Sequence, residues 1–354
     1  MKRIKVIVAD DDRFFREFLI RELSKDIEIE VVGYAADGEE VVELTRRLKP
    51  DLVLMDIVMP KKDGFQAVQE IMATNPVPII MITAFSEQHS LYDALLAGAL
   101  DMVPKPRNSS ELLPFIDAIR RKVKLLSGVK PKQRPKMEPS KPKPEPPKEK
   151  TEALRRFRCC IVAIGASTGG PKALAEILSH LPEDFPTPIL IVQHIWPGFE
   201  NGLATWLNSV SKLKVKVAQN NEPLETGTVY ISPTNANMRI KADWSIELTD
   251  EKHAEYSHYP SVDVLFFSVA KHVGDRAVGV ILTGMERDGA KGLLEIKKAG
   301  GYTIAQDEKT SVVFGMPKAA IEIGAALEVL PIQEIAPRLV ELCSAKAHGE
   351  TKGD

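Results

Sequence analysis

The sequence predicts an α/β protein of two domains, each a doubly wound parallel sheet, joined by a Pro/Lys-rich linker. Three observations carry this expectation. The chain has 354 residues, too many for one ordinary core, because single domains settle at roughly 100–200 residues. Residues 127–152 hold seven prolines, eight Lys or Arg and four Glu, with only Val129 and Met137 as sizeable apolar groups. On both sides of that stretch, short apolar runs alternate with apolar residues at helical spacing, the grammar of repeated β/α units.

Before the linker, residues 4–9, 30–34, 52–55, 79–82 and 102–103 read as strands buried on both faces. Between them Phe15, Phe18, Leu19 and Leu23, and later Leu112, Ile116, Ile119 and Val123, recur at helix spacing. Five β/α units over residues 1–126 follow. Proline removes backbone donors and like charges repel, so residues 127–152 are expected to be extended and solvated. Beyond them, residues 161–165, 189–193 and 278–283 are again apolar strands, each followed by loop residues and a helical pattern. A second α/β domain over residues 153–347 and a tail over 348–354 complete the division.

Hydrophobic residues make up 44% of the chain and charged residues 27%, a balance that supports buried cores. Lys plus Arg number 47 against 49 Asp plus Glu, a formal charge of -2, so no net field draws the chain to nucleic acid or anionic lipid. Three cysteines, two of them the adjacent Cys159 and Cys160, offer no disulfide framework and no metal-ligand spacing. A reducing, cytoplasmic setting is expected. The N-terminal ten residues have too short an apolar run for a signal peptide, and no run approaches the ~20 apolar residues of a spanning helix. Direct membrane insertion is not expected.

In the first domain Asp10 and Asp11 stand at the end of the first strand and Asp56 at the end of the third. Carboxyl ends of a parallel sheet meet in one crevice. Three carboxylates there repel unless a hard cation neutralises them, and an oxygen-only site suits Mg²⁺. Thr83 supplies a hydroxyl after the fourth strand, and Lys105 a positive charge after the fifth. Asp10-Asp11, the run Met55-Asp56-Ile57-Val58-Met59-Pro60, Thr83-Ala84 and Lys105-Pro106 together resemble the two-component receiver family across residues 3–125, a flavodoxin-like fold. The resemblance implies that Asp56 is the phosphoacceptor, that Asp10, Asp11 and Asp56 hold Mg²⁺, and that Thr83 and Lys105 engage the phosphoryl group. Receivers commonly carry an aromatic three residues before the lysine. Here Met102 stands there, which departs from the usual threonine/aromatic coupling.

In the second domain the strand ending at Ile164 runs into Gly165-Ala166-Ser167-Thr168-Gly169-Gly170-Pro171, followed by Leu174, Ile177, Leu178 and Leu181 at helix spacing. This has the form of a nucleophile elbow, in which small residues let a serine stand above the sheet near a helix N-terminus. Glycine-rich strand-to-helix turns also bind phosphate, but Pro171 occupies the position where a P-loop requires lysine, which argues against a P-loop. His194 leaves the next strong strand, and Asp288 lies just beyond the strand at 278–283. A serine hydroxyl needs a base to take its proton, and the imidazolium formed needs an anion to hold it. Ser167, His194 and Asp288 supply these types, and backbone amides near Thr168 and Met285 are the candidate oxyanion donors. The order Ser, His, Asp differs from the Ser, Asp, His order of ordinary α/β-hydrolases.

Gly165-Ala-Ser-Thr-Gly-Gly, Val192-Gln-His194, Leu282-Thr-Gly-Met285 with Asp288-Gly-Ala, Ala305-Gln-Asp and Phe314-Gly-Met-Pro are similar to the chemoreceptor glutamate methylesterase (CheB) family over about residues 158–335. That resemblance implies a Rossmann-like hydrolytic domain acting on γ-glutamyl methyl esters of methyl-accepting chemotaxis receptors, with glutamine deamidation as a second activity and no cofactor. It implies Ser167 as nucleophile, His194 as base, Asp288 as orienting acid and a chemotaxis histidine kinase as phosphodonor. A receiver ahead of such a domain leads to the expectation of control by occlusion. The family usually has glycine after Thr-Gly-Met, whereas Glu286 stands here. A left-handed backbone would be strained at that position, so the loop carrying Asp288 is expected to differ locally. His253 and His258 read as surface residues, and Trp196, Trp206 and Trp244 as packing. Two rivals remain at this point. A receiver-linked transcription factor predicts a compact basic output helix that the α/β pattern does not show, and an esterase for small acyl or lipid substrates stays open.

Overall fold

The computed structural model describes residues 2–84, 88–130, 159–251 and 258–344. Most of the expected linker, from residue 131 onward, and the tail 348–354 lie outside the described residues, as does His253. The chain divides into two compact units, Met1–Glu138 and Pro139–Asp354.

The first unit runs β1 (Ile4–Ala9), α1 (Arg13–Leu23), β2 (Ile29–Ala35), α2 (Gly38–Leu48), β3 (Leu52–Asp56), α3 (Gly64–Thr74), β4 (Ile79–Thr83), α4 (Gln88–Ala97), β5 (Asp101–Pro104) and α5 (Leu112–Leu126). Its sheet has the order β2-β1-β3-β4-β5, with every pairing parallel. The all-apolar runs predicted as two-sided core strands are that: β3 and β4 are buried at every residue. Of the three consecutive aspartates, Asp12 is a helix cap. Its carboxylate accepts from Phe14 and Phe15 N–H and caps α1, which leaves Asp10 and Asp11 at the strand end. Met102 lies buried in β5 beside Met81.

The second unit runs β6 (Ile161–Ala166), α6 (Gly170–His180), β7 (Ile189–Gln193), α7 (Glu200–Val210), β8 (Lys214–Val217), β9 (Thr228–Ile231), β10 (Asn237–Ile240), β11 (Ile246–Thr249), α8 (Val262–His272), β12 (Ala277–Ile281), α9 (Ala290–Lys298), β13 (Tyr302–Gln306), α10 (Met316–Glu322), β14 (Glu328–Leu330) and α11 (Ile332–Ser344). Seven of these strands form a parallel sheet in the order β14-β13-β12-β6-β7-β9-β8. The chain starts in the middle at β6, builds outward through β7, and later returns to the other flank at β12. The strand order therefore reverses beside β6, and in open α/β sheets ligands bind at the carboxyl ends next to such a switch point. α6 packs with α7 and α11, and α9 with α8 and α10, giving two helical layers.

One feature departs from the all-parallel expectation. β10 and β11 form a separate antiparallel hairpin. It puts Met238, Ile240 and Ile246 into the same core as Leu265, Phe266 and Val269 of α8. The polar, interrupted sequence between β9 and α8 hides this hairpin from periodicity, since each strand has only four residues.

Candidate active site

Ser167 follows the last residue of β6 and His194 the last residue of β7, and those last residues, Ala166 and Gln193, are register partners. The ladder continues past both ends: His194 N–H donates to Ala166 O at 2.9 Å, and Ser167 N–H donates to Thr283 O at 3.0 Å on the other side. Ser167 is thereby set between the His194 loop and the loop that leaves β12. Gly169 begins α6 with a φ of 77°, and Val312 leaves no room for a Cβ there. Two glycines after Thr168 are thus required by backbone conformation and by space. Gly284 lies so close to Ser167 that a Cβ at 284 would meet the serine Cβ at 2.8 Å. Met285 follows, 41% exposed, an apolar group at the rim beside the serine.

Asp288 is 4% exposed and fully satisfied. Its Oδ1 accepts from Ser261 Oγ at 2.8 Å and Asp263 N–H at 3.1 Å; its Oδ2 accepts from Val262 N–H at 2.7 Å and His194 Nε2 at 2.9 Å. These amides are the opening of α8, so the carboxylate sits against a helix N-terminus, where the partial positive charge of the unpaired N–H groups favours an anion. Burial alone would raise its pKa. The hydrogen bond and charge of His194, with the α8 amides, outweigh burial and hold it below the ordinary carboxylate value. Ser261 is itself fastened: its N–H donates to Asn237 Oδ1 at 2.8 Å, from the β10–β11 hairpin.

With Nε2–H given to Asp288, the free lone pair of His194 is on Nδ1, which is buried and has no hydrogen-bond partner. Ser167 Oγ makes no hydrogen bond to it among the described residues. His258, which the sequence places at the surface rather than among ligands, is partly covered. Its ring is half-buried and stacked on His194, with centroids 4.3 Å apart and planes 8° from parallel. Burial, then the neighbouring His194, lower its pKa. Ligand atoms of His194, His258 and Asp288 lie within 4.8 Å of one another. Imidazole binds a metal in its own plane, and two near-parallel stacked planes share no such point, so this arrangement does not suit joint chelation. Glu286 avoids the strain foreseen for a left-handed backbone: it is not among the residues with positive φ, and the left-handed turn of this loop falls on Gly289, at 89°. A glycine at 286 is therefore not required here.

The sequence motifs contained Gln193 but gave it no role. It is 2% exposed, and its Nε2 donates to both Ser167 O at 2.8 Å and His194 O at 2.9 Å. No sequence motif for catalysis marks Ser261 or Asp263 either. Ser261 followed by an acid in the next turn is a recognisable N-cap signal, but nothing local says that the same cap would hold an aspartate 27 residues later. Asp263, 7% exposed, accepts from Gly292 N–H at 2.7 Å. Burial, reinforced by the charge of Asp288, pushes its carboxyl up to about 6.

In the first unit Asp10, Asp11 and Asp56 place carboxylate oxygens within 4.8 Å of one another. Asp10 and Asp56 are buried, and Asp11 is exposed. Lys105 Nζ lies 2.5 Å from Asp56 Oδ2 and 2.9 Å from Asp10 Oδ2. Burial pushes the Asp56 carboxyl up to about 6 against the opposing pull of Lys105. Asp10 Oδ2 is buried and, its ion pair aside, accepts no hydrogen bond. A clustered, oxygen-only donor set with an unsatisfied buried oxygen fits a hard divalent cation. Thr83 is buried at the end of β4, where its backbone carbonyl accepts from Lys105 N–H at 2.8 Å.

Residues 6–117 match the response regulator receiver domain and residues 162–339 the CheB methylesterase family. The protein-glutamate methylesterase/protein-glutamine glutaminase 2 of Anaeromyxobacter dehalogenans is 43% identical over 341 residues, covering 96% of this chain and 97% of that protein. Protein-glutamate methylesterase/protein-glutamine glutaminase 1 of Carboxydothermus hydrogenoformans is 42% identical over 345 residues, covering 96% and 99%. The crystal structure of the Thermotoga maritima CheB methylesterase catalytic domain aligns with a TM-score of 0.50 at 42% identity, covering 52% of this chain and all of that one. The chain belongs to the CheB methylesterase family, with a receiver domain ahead of its methylesterase domain.

Proposed function

We propose that the second domain, residues 153–347, hydrolyses γ-glutamyl methyl esters on the cytoplasmic helices of methyl-accepting chemotaxis receptors and deamidates receptor glutamines, with Ser167, His194 and Asp288 as its catalytic residues. The observation that supports this best is the 2.9 Å His194–Asp288 hydrogen bond beside the Ser167 elbow. Ser167 and His194 leave adjacent strands, whose spacing is about 4.8 Å, so rotation about the serine Cα–Cβ bond brings Oγ toward the ring. As Oγ attacks the acyl carbon, Nδ1 of His194 takes its proton. Nε2–H stays on Asp288, which stabilises the imidazolium. The oxyanion meets backbone amides near Thr168 and Met285; the Met285 N–H has no acceptor among the described residues, as such a donor requires. One donor of this kind is worth about 3 kcal/mol.

Collapse of the tetrahedral adduct passes the Nδ1 proton to the leaving group, as methanol from an ester or ammonia from a carboxamide, and leaves the glutamyl group on Ser167. Water, deprotonated by His194, then releases the glutamate and returns the hydroxyl. Ester and amide share the whole route, which needs no cofactor at this site.

In the receiver, Asp56 takes a phosphoryl group from a chemotaxis histidine kinase, and Asp10, Asp11 and Asp56 hold Mg²⁺. The ion supplies charge neutralisation at the phosphoryl oxygens. Lys105 pairs with the phosphoryl group and Thr83 donates to it, and the phosphorylated receiver activates the hydrolase across the linker at 127–152. Neither reaction asks the protein to leave the cytoplasm. The test is methanol release from methylated receptor membranes, with and without a small phosphodonor. Wild type should release methanol and respond to the donor, Asp56→Ala should keep basal release without the response, and Ser167→Ala should release none. Release by Ser167→Ala at the wild-type rate refutes the hydrolase assignment. Turnover of small esters with no release from receptors moves the substrate to small acyl compounds.

A further inference from the structure

Gln193 closes β7 with a side chain that reaches sideways rather than into the core. A carboxamide nitrogen carries two N–H groups, and here both are committed: one to the carbonyl of Ser167 at 2.8 Å, the other to the carbonyl of His194 at 2.9 Å. The Ser167 carbonyl also accepts from Gly170 N–H at 2.8 Å. Both of its lone pairs are then occupied, which fixes the serine ψ and with it the direction of the Cα–Cβ bond.

The other end of the carboxamide is a sacrifice. Gln193 Oε1 is buried with no hydrogen-bond partner, and a buried acceptor left without a donor costs stability. It lies against α6 at Gly170, where an added Cβ would come within 1.9 Å of Oε1. The second glycine of the Gly169-Gly170 pair thus makes room for this side chain. A residue chosen for packing alone would be apolar at so closed a position, as the preceding Ile189, Leu190, Ile191 and Val192 are.

We infer that Gln193 is a positioning residue, whose two N–H bonds set the separation and mutual orientation of the nucleophile loop and the base loop. It touches neither substrate nor the reacting atoms. The inference rests on the proposed roles of Ser167 and His194. Because Ser167 Oγ and His194 Nδ1 are not already hydrogen-bonded to each other, their approach depends on the backbones that carry them, and those are what Gln193 ties.

The test uses the full chain with Gln193→Met, which keeps the length and volume without donors, and Gln193→Glu, which when ionised faces two carbonyl oxygens with a carboxylate. Methanol release should show kcat lowered on the order of 100-fold in both variants, the scale of a displacement of about 1 Å, with KM within about twofold of wild type. Labelling of Ser167 by a fluorophosphonate should slow in parallel, and tryptophan fluorescence should show each variant folded at the assay temperature, with Gln193→Glu the less stable of the two. Gln193→Asn, which keeps the donors but is one methylene short, should also fall below wild type. Gln193→Leu, also without donors, replaces Gln193→Met should that variant fail to fold. A folded variant without the donors whose kcat stays within twofold of wild type, while Ser167→Ala is inactive, overturns this inference alone. Activity in Ser167→Ala overturns the hydrolase reading and this inference with it. A loss of activity that tracks the unfolded fraction, with normal kcat per folded molecule, assigns Gln193 to stability and also overturns it.

Discussion

Asp263 offers a sharp test of the electrostatics around the His194–Asp288 pair. Its carboxyl is pushed up to about 6 from an ordinary 3.8, first by burial and then by the charge of Asp288. The native state therefore binds a proton more tightly than the unfolded chain. Stability from this group is fully present below 3.8 and is lost as pH rises through about 6. One pH unit between those limits is worth about 1.4 kcal/mol, so on going from pH 5 to pH 8 Asp263 should withdraw about 1.4 kcal/mol. Asp263→Asn removes the titration and keeps an oxygen to accept the 2.7 Å bond from Gly292 N–H. Any fixed packing cost of Asn is the same at both pH values and cancels in the comparison. The readout is available without added probes: Trp196, Trp206 and Trp244 are the protein's three tryptophans, and all lie in the second unit. Urea unfolding followed by their fluorescence at pH 5 and pH 8 should show wild type losing about 1.4 kcal/mol more than Asp263→Asn over that interval. Parallel pH profiles, with the two proteins agreeing within about 0.3 kcal/mol, would mean that Asp263 is already ionised at pH 5 and that the two carboxylates are less strongly opposed than their burial implies.

Ser261→Ala removes both a cap of α8 and a hydrogen bond to a buried carboxylate. It should cost about 1–3 kcal/mol in urea unfolding and lower the rate of methanol release about tenfold, with the acid limb of the pH–rate profile moved upward; an unchanged profile would detach Ser261 from the triad. Gly289→Ala puts a side chain at a φ of 89°, with its Cβ 2.5 Å from Val262 Cγ1. A destabilisation of about 1–3 kcal/mol, together with loss of activity beyond the unfolded fraction, should result, since Val262 N–H is one of the donors to Asp288. Lys105→Met removes the ammonium that lies 2.5 Å from Asp56 and 2.9 Å from Asp10. Calorimetric titration should show Mg²⁺ binding tightened about tenfold, and unchanged affinity would mean that the lysine does not compete with the cation.

Strand-end residues were legible because parallel α/β grammar is local. An apolar run such as Ile189–Gln193 announces a two-sided strand, and the next residue, His194, must lie at the carboxyl edge. The same logic located Asp10, Asp56, Thr83, Lys105 and Ser167. What stayed hidden depends on partners distant in the chain. His258 lies in a polar stretch that resembles surface, and only the path of the chain ahead of α8 stacks it on His194. Ser261 announces a helix start, yet its second bond, to Asp288, is a tertiary fact. Glu286 looked like a strain point because a family glycine was missing there. The backbone turns left-handed at Gly289 instead, where a glycine is present.

The β10–β11 hairpin can be connected to the chemistry through this chain of contacts. A buried aspartate beside a histidine would take up a proton if burial decided alone, and a protonated Asp288 could not stabilise an imidazolium. The hydrogen bond and charge of His194 oppose this first, and the opening amides of α8 reinforce them, with the Ser261 hydroxyl as a further donor. The amides and the hydroxyl do so only while the first turn of α8 keeps its place. That turn is anchored from outside the seven-stranded sheet, by Asn237 on Ser261 N–H and by the hairpin's apolar face against Leu265, Phe266 and Val269. The hairpin is thus part of the support around Asp288, although it contributes none of the three residues proposed as catalytic. Asn237→Ala should consequently alter activity through the acid limb of the pH–rate profile, as Ser261→Ala does, because both act on the same carboxylate along the same path.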